Sequence, residues 1–318
     1  MVRIPAVQNR RRTRPRILAL FALLAAINGA AWIVLLLAAH RYALLLPLGV
    51  TAYLLGLRHA VDPDHIAAID GTTRKLMHEE KAAESVGFYF SLGHSTIVFV
   101  LSILVALFGV MVKTRFPVLE NSGAAIGTWV SVVFLLVIAA ANLVVLLDLL
   151  RGKSQAVQSD YALGGGILAR VLRPALRMVR RSEHMYPVGL LFGLGFDTAT
   201  EVALLGISAA SGAGGMPMIY ILILPWLFTA GMSLIDTAEG VAMLGAYGWA
   251  YVRPAAKVLY NVNMTLLTTI IALFVGGAEA FAAIGTHPTL SFSWLGYGII
   301  AIFGANVALS AFFYRFRQ

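Results

Sequence analysis

The chain has 318 residues, 59% of them hydrophobic and only 12% charged, with a mean hydropathy of +0.83. That charge density is about half the ~25% usual for soluble domains, and with long uncharged runs it excludes a soluble globular enzyme, a disordered chain and a nucleic-acid-binding domain. The absence of cysteine excludes a disulfide scaffold, zinc-finger or iron–sulfur ligation and thiol redox chemistry, and the net charge of +9 takes its meaning from where the bases fall.

Apolar runs of roughly 20 residues, the length that crosses ~30 Å of hydrocarbon, predict an all-α polytopic membrane protein with eight transmembrane helices. They lie at 17–39, 43–70, 86–112, 124–149, 188–210, 218–247, 258–280 and 294–314. The first follows a basic tail, 1–16, but its apolar run is too long for a signal peptide and lacks a clear small-residue cleavage site, so it reads as a retained helix. With the N- and C-termini in the cytoplasm, 20 of the 24 basic residues fall inside, Arg41, Lys113 and Arg115 fall outside, and Arg58 lies within a span. That asymmetry is what the positive-inside rule predicts, so the basic balance reports topology.

The chain therefore reads as one integral membrane domain, 1–318: four helices over 17–150, a basic cytoplasmic connection over 151–186, and four more over 187–318. The connection holds Arg170, Arg173, Arg177, Arg180 and Arg181 and suits a short amphipathic helix on the anionic inner leaflet. Gly152-Lys153-Ser154 mimics the end of a phosphate-binding loop, but Leu147 stands where its first glycine belongs and no strand precedes it, so no ATP site is expected.

Ionisable side chains are costly inside a bilayer, and here they concentrate in four spans. Span two carries His59, Asp62, Asp64, His65 and Asp70; span three His94; span five Asp197 and Glu201; span six Asp236 and Glu239. Spans one, four, seven and eight are nearly free of charge in their interiors and read as scaffold. At 100° per residue His59, Asp62 and His65 share one face of span two while Asp64 points away. Pro63 is expected to kink the span there, freeing the His59 carbonyl and swinging Asp64 inward. Asp197 and Glu201 are i, i+4, and Asp236 and Glu239 are i, i+3, so each pair shares a face.

Imidazole and carboxylate ligands without sulfur suit a divalent first-row ion such as Ni²⁺, Co²⁺, Zn²⁺ or Mn²⁺, whereas Cu⁺ would want thiolate or thioether and Mg²⁺ no imidazole. Plainer roles stand beside this. Taken singly, His94 or Asp236 suits a helix-to-helix hydrogen bond. Asp70 is read as an ion-pair partner of Arg74, and Thr198, Thr200 and Thr237 as satisfying helix carbonyls. His40, His78, His184 and His287 are placed in loops. Packing alone does not call for His59, Asp62, Asp64 and His65 within seven residues.

At these segments the sequence resembles the nickel/cobalt transporter family, single-component Ni²⁺/Co²⁺ permeases. Its hallmark on the second helix, His, four residues, Asp-His, is matched by His59, Asp64 and His65, and Phe90-Ser91-Leu92-Gly93-His94-Ser95, Leu194 to Glu201 and Gly231 to Thr237 match in order. Pro63 stands where alanine is usual and Gly71 where asparagine is usual. The resemblance implies high-affinity uptake that supplies metal to enzymes such as urease and hydrogenase or to cobalamin synthesis. The expected metal residues are His59, Asp62, Asp64, His65, His94, Asp197, Glu201, Asp236 and Glu239. No cofactor, nucleic acid or ATPase subunit is expected; the metal is cargo, the lipid bilayer the other partner, and the cell inner (cytoplasmic) membrane the location.

An exporter of a related family would use the same ligands, but such proteins often carry a His-rich loop, and 151–186 holds only His184. An intramembrane metalloenzyme would want His-Glu-x-x-His, which is absent. Moving a 2+ ion inward releases about 4.6 kcal/mol per 100 mV, so a uniporter or secondary carrier suffices. His59 and Asp197 are 138 residues apart and His94 and Asp236 are 142 apart, three helices later, which suggests that spans two and three recur inverted as spans five and six.

Overall fold

A computed structural model describes residues 5–79, 81–150, 179–194, 199–250, 254–284, 296–302 and 305. All regular structure among them is helical. The elements are α1 (Pro5–Ala39), α2 (Leu45–His59), α3 (Pro63–His78), α4 (Val86–Leu150), a 3₁₀ turn (Ser182–His184), α5 (Met185–Phe192), α6 (Ala199–Ala213), α7 (Met218–Ile221), α8 (Ile223–Ala250) and α9 (Pro254–Ala283). A further helical stretch covers 296–302. Three helical stretches among the described residues are long and apolar enough to cross a membrane: Thr13–Ala39, Val86–Leu107 and Met218–Gly245. Shorter apolar helices lie at Thr128–Ala140, Ala203–Ala213 and Thr265–Phe281.

Span two is broken rather than kinked. Asp62 occupies the N-cap position of α3 in an extended conformation, φ −67° and ψ 141°, and Pro63 is the first helical residue. A proline there costs little, because the first N–H of a helix has no intrahelical acceptor and φ is already set. The expected freed acceptor at His59 is not free: its carbonyl takes the Asp62 N–H at 2.9 Å. Span five also leaves its helix, α5 ending at Phe192 with a turn at Gly193 and Leu194, and α6 is described from Ala199.

Spans three and four were expected as separate helices with 113–123 as their connection; helical backbone runs unbroken from Val86 to Leu150. It is not a rod. The rings of Phe90 and Phe134 lie 5.2 Å and 5.7 Å from the ring of Phe192, whereas a straight helix would hold the two about 66 Å apart at 1.5 Å per residue. The arms that carry Phe90 and Phe134 therefore lie side by side, both against Phe192.

With lipid outside, helices associate through close packing rather than hydrophobic exclusion, and glycine allows the closest approach. A Cβ at Gly56 of α2 would stand 2.1 Å from the Phe228 carbonyl oxygen of α8, and one at Gly231 of α8 would stand 2.7 Å from the Tyr53 carbonyl oxygen of α2. The pairing of α4 with α5 repeats this reciprocity: Gly93 would meet the Tyr186 carbonyl oxygen at 1.9 Å and Gly189 the Phe90 carbonyl oxygen at 1.9 Å. Gly71 has a comparable reason, since its Cβ would stand 2.3 Å from Ile138 Cγ2 in the second arm of α4.

Two apolar cores flank these glycine seams. One gathers Ile66, Ile69, Phe90, Leu135, Phe192 and Val275; the other gathers Leu35, Leu45, Leu204, Leu224, Leu227 and Phe228. A polar staple secures α1, where Asn28 donates to the Ala230 carbonyl at 3.3 Å and accepts from the Tyr53 hydroxyl at 3.0 Å. At the other end of α3 the Lys75 ammonium donates to the Val179 carbonyl and pairs with Glu79 at 3.3 Å. Arg74 reaches the Thr268 hydroxyl of α9 at 2.8 Å.

Candidate metal centre

The break in span two places the last residue of one helix and the first turn of the next on one spot. His59 ends α2, Asp62 lies in the break, and Asp64 and His65 lie in the first turn of α3. His94 enters from the first arm of α4, Thr200 and Glu201 from the first turn of α6, and Asp236 from α8. His59, His65, His94, Glu201 and Asp236 are all at least 97% buried.

The three imidazoles form a near-equilateral cluster, with ring centroids 4.7 Å (His59–His65), 4.8 Å (His59–His94) and 4.9 Å (His65–His94) apart. One ligand atom from each can be chosen so that all three lie within 4.8 Å of one another. Phe228 closes on His59 at 5.4 Å and Phe90 on His65 at 4.8 Å, so the apolar cores wall the cluster on two sides.

Second partners orient the rings. His59 Nδ1 lies 2.9 Å from Thr200 Oγ1 and 3.3 Å from Asp62 Oδ2, and His65 Nδ1 lies 3.3 Å from Asp236 Oδ1. With the proton on Nδ1 in each case, the lone pair of Nε2 is left for a cation, the arrangement in which carboxylates and hydroxyls hold metal-binding histidines. His65 Nε2 has no hydrogen-bond partner among the described residues. His94 Nε2 lies 2.9 Å from His59 Nε2 and 2.7 Å from Glu201 Oε1, and His59 Nε2 to Glu201 Oε1 is 3.9 Å.

Asp62 is shared: its Oδ1 accepts from Arg58 Nη1 at 2.9 Å while Oδ2 faces His59. Asp64 is half-buried and near enough for its charge to act on His59 and His65. Glu239 is half-buried one turn along α8 from Asp236; its Oε1 has no partner among the described residues. Asp197 lies outside the described residues.

Thr200, expected to satisfy a helix carbonyl, also turns its hydroxyl to His59. Its only sequence signal was its place beside Glu201 in the span-five motif. Phe90 and Phe228 carried no signal as site walls. Ser91 and Ser233 join α4 to α8 beside the cluster through a 3.0 Å hydrogen bond.

Described residues that are helical, with lipid-compatible spans and a buried cluster of imidazoles and carboxylates at a helix break, define the class of membrane carriers of metal cations. The more specific assignment comes from comparison: the family model described as high-affinity nickel-transport protein matches residues 45–312, and the chain belongs to that family. It is 44% identical, over 96% of its length and 94% of the relative's, to the "High-affinity nickel transport protein" of Cupriavidus necator. It is 42% identical to the "High-affinity nickel-transport protein NixA" of Helicobacter pylori over 79% of this chain and 83% of that one. Against the "Cobalt transport protein NhlF" of Rhodococcus rhodochrous it is 40% identical over 80% and 79%. No solved structure matches the chain.

Proposed function

We propose that this protein takes up Ni²⁺ or Co²⁺ across the inner membrane as a single-component carrier, and that the ion is bound by His59, His65 and His94 through Nε2 and by Glu201 through a carboxylate oxygen. The observation that carries this reading is the set of three distances among His59, His94 and Glu201. At metal–ligand lengths of about 2.05 Å, neighbouring ligands at 90° stand about 2.9 Å apart, opposite ligands about 4.1 Å, and tetrahedral ligands about 3.3 Å. The observed 2.9, 2.7 and 3.9 Å lie in or close to that span, so the three atoms are close enough to share one ion, and their nitrogen and oxygen chemistry suits Ni²⁺ or Co²⁺.

The surroundings support a cation at this point. Glu201 supplies negative charge directly, with Asp62, Asp64 and Asp236 around it, which lowers the cost of stripping water from a divalent ion. Arg58 holds Asp62 by an ion pair when the cation is absent.

Eight crossings with both termini cytoplasmic fit α1, the α2–α3 pair, the two arms of α4, the α5–α6 pair, α7–α8, α9 and the segment containing 296–302. The breaks in spans two and five support alternating access between inverted halves. The glycine seams suggest a register of 137–138 residues: Gly56 with Gly193, Asp64 with Glu201, Phe90 with Phe228, Gly93 with Gly231 and Ser95 with Ser233. Under it Asp64 and Glu201 are equivalent first-turn acids after the two breaks, a refinement of the pairing of His59 with Asp197. Rocking one half against the other would open the imidazole cluster to each side in turn.

The test is accumulation of radiolabelled Ni²⁺ and Co²⁺ in cells expressing the chain. Uptake that follows membrane potential and is lost in His59→Ala and His94→Ala, each present in the membrane at normal level, is the expected result. Outward movement from preloaded cells would instead identify an exporter.

A further inference from the structure

Away from the imidazoles, a cavity of about 710 Å³ opens between the start of α1, the start of α4 and the 3₁₀ turn. Its rim is ionic. Arg16, Lys81, Arg180 and Arg181 contribute four positive charges and Glu84 and Glu183 two negative ones. Arg16 donates to Glu84 at 3.0 Å and Lys81 pairs with Glu79, so those bases are already compensated. Arg180 and Arg181 are exposed, and their guanidinium groups have no hydrogen-bond or ion-pair partner among the described residues.

The floor is apolar. Leu20 and Leu23 lie four and seven residues beyond Arg16 on α1, roughly 6 Å and 10 Å deeper along the axis. Phe88 and Tyr89, from the first turn of α4, form the facing wall. Leu23 is 47% exposed although α1 is an apolar helix of membrane-spanning length. The cavity thus passes from unpaired guanidinium groups at the helix ends to bare hydrocarbon about two turns down, the depth profile of one leaflet.

We propose that this cavity binds one anionic diacyl phospholipid, its phosphate on Arg180 and Arg181 and an acyl chain along Leu20, Leu23 and Phe88. Guanidinium forks match phosphate oxygens in geometry, and basic pockets between helices on the cytoplasmic side suit anionic headgroups. A free inorganic anion would use the rim and leave the apolar floor to water. A zwitterionic lipid would fill the floor but bring its own cation to two unpaired arginines. The lipid would tie α1 to the turn that leads into α5. This inference rests on the membrane reading of α1 and not on the metal site.

The test uses the purified full chain in detergent, mixed with phosphatidylglycerol or phosphatidylcholine of identical acyl chains, with retained lipid counted by native mass spectrometry. Phosphatidylglycerol should be retained over phosphatidylcholine by at least about five-fold, should withstand millimolar inorganic phosphate, and should lose that preference in Arg180→Gln/Arg181→Gln. A readout without the arginine variant uses Leu23→Cys, which a fluorophore labels uniquely because the chain has no other cysteine. Brominated phosphatidylglycerol should quench it more strongly than brominated phosphatidylcholine. Equal retention and quenching by the two lipids, an unchanged preference in the double variant, or displacement of the lipid by phosphate alone would overturn the proposal.

Discussion

The Nε2 atoms of His59 and His94 stand 2.9 Å apart, buried, with Glu201 Oε1 2.7 Å from the second of them. If this trio and His65 hold the cargo, removing one imidazole should weaken binding at least about ten-fold, since even outer partners of metal ligands are worth that much. Equilibrium binding of Ni²⁺ to purified His59→Ala and His94→Ala checks it. Wild-type affinity in either variant would exclude that side chain from the site.

The same short contact has a consequence for protons. Two imidazole nitrogens at 2.9 Å are held together only if one of them carries a hydrogen, and a metal ion occupying both requires that hydrogen on an Nδ1 instead; His94 Nδ1 has no hydrogen-bond partner among the described residues. Further protonation of either ring competes with the ion, so binding should weaken as pH falls. Equilibrium binding of Ni²⁺ at a series of pH values checks it. An affinity unchanged by acid would show that the ion sits elsewhere.

Thr200 is expected to act as a positioning residue through His59 Nδ1. Thr200→Val keeps the shape and loses the hydrogen bond, worth roughly 0.5–1.5 kcal/mol, so Ni²⁺ affinity should fall between about two- and ten-fold. Thr200→Ser should restore most of it at the same melting temperature. A defect shared equally by both variants would point to packing instead.

The helical class, the discontinuity at Pro63 and the gathering of imidazoles on span two were legible in the sequence, because hydropathy, proline chemistry and residue spacing act locally. The partners were not. That His94 of α4 meets Glu201 of α6, 107 residues away, depends on how those two helices pack, including the close approach of Gly212 to the Ala106 carbonyl oxygen. The continuous helical backbone through 113–123 was equally invisible, since polar residues with one proline read as a loop. Asp64 on an ideal helix faces away from His59; only the break brings it near.

Those glycine seams carry a stability prediction. Gly93→Ala or Gly189→Ala drives a methyl group into a backbone carbonyl that cannot rotate away, so α4 and α5 must separate, at a cost of about 1–3 kcal/mol or more. Thermal melting in detergent should fall in both, whereas Gly29→Ala, with nothing within 4 Å of the added carbon, should melt as wild type. Wild-type melting of both seam variants would mean that the helices lie further apart than described.

The inverted-repeat reading is checked by single cysteines in this cysteine-free chain. Cysteine at Asp64 and at Glu201, the equivalent first-turn positions, should each react with a small hydrophilic thiol reagent from one side of the membrane, and conditions favouring the opposite state should reverse the side for both. Fixed access from opposite sides in every condition would contradict a rocking mechanism.

X-ray absorption at the nickel edge tests the central claim most directly, using purified protein without a polyhistidine tag, loaded with one Ni²⁺ per chain. Two to three imidazole rings together with carboxylate or water oxygens at about 2.05 Å, no sulfur, and loss of one imidazole in His94→Ala are expected. A first shell of oxygen alone, or a spectrum that His59→Ala and His94→Ala both leave unchanged, would contradict the binding of cargo by this cluster.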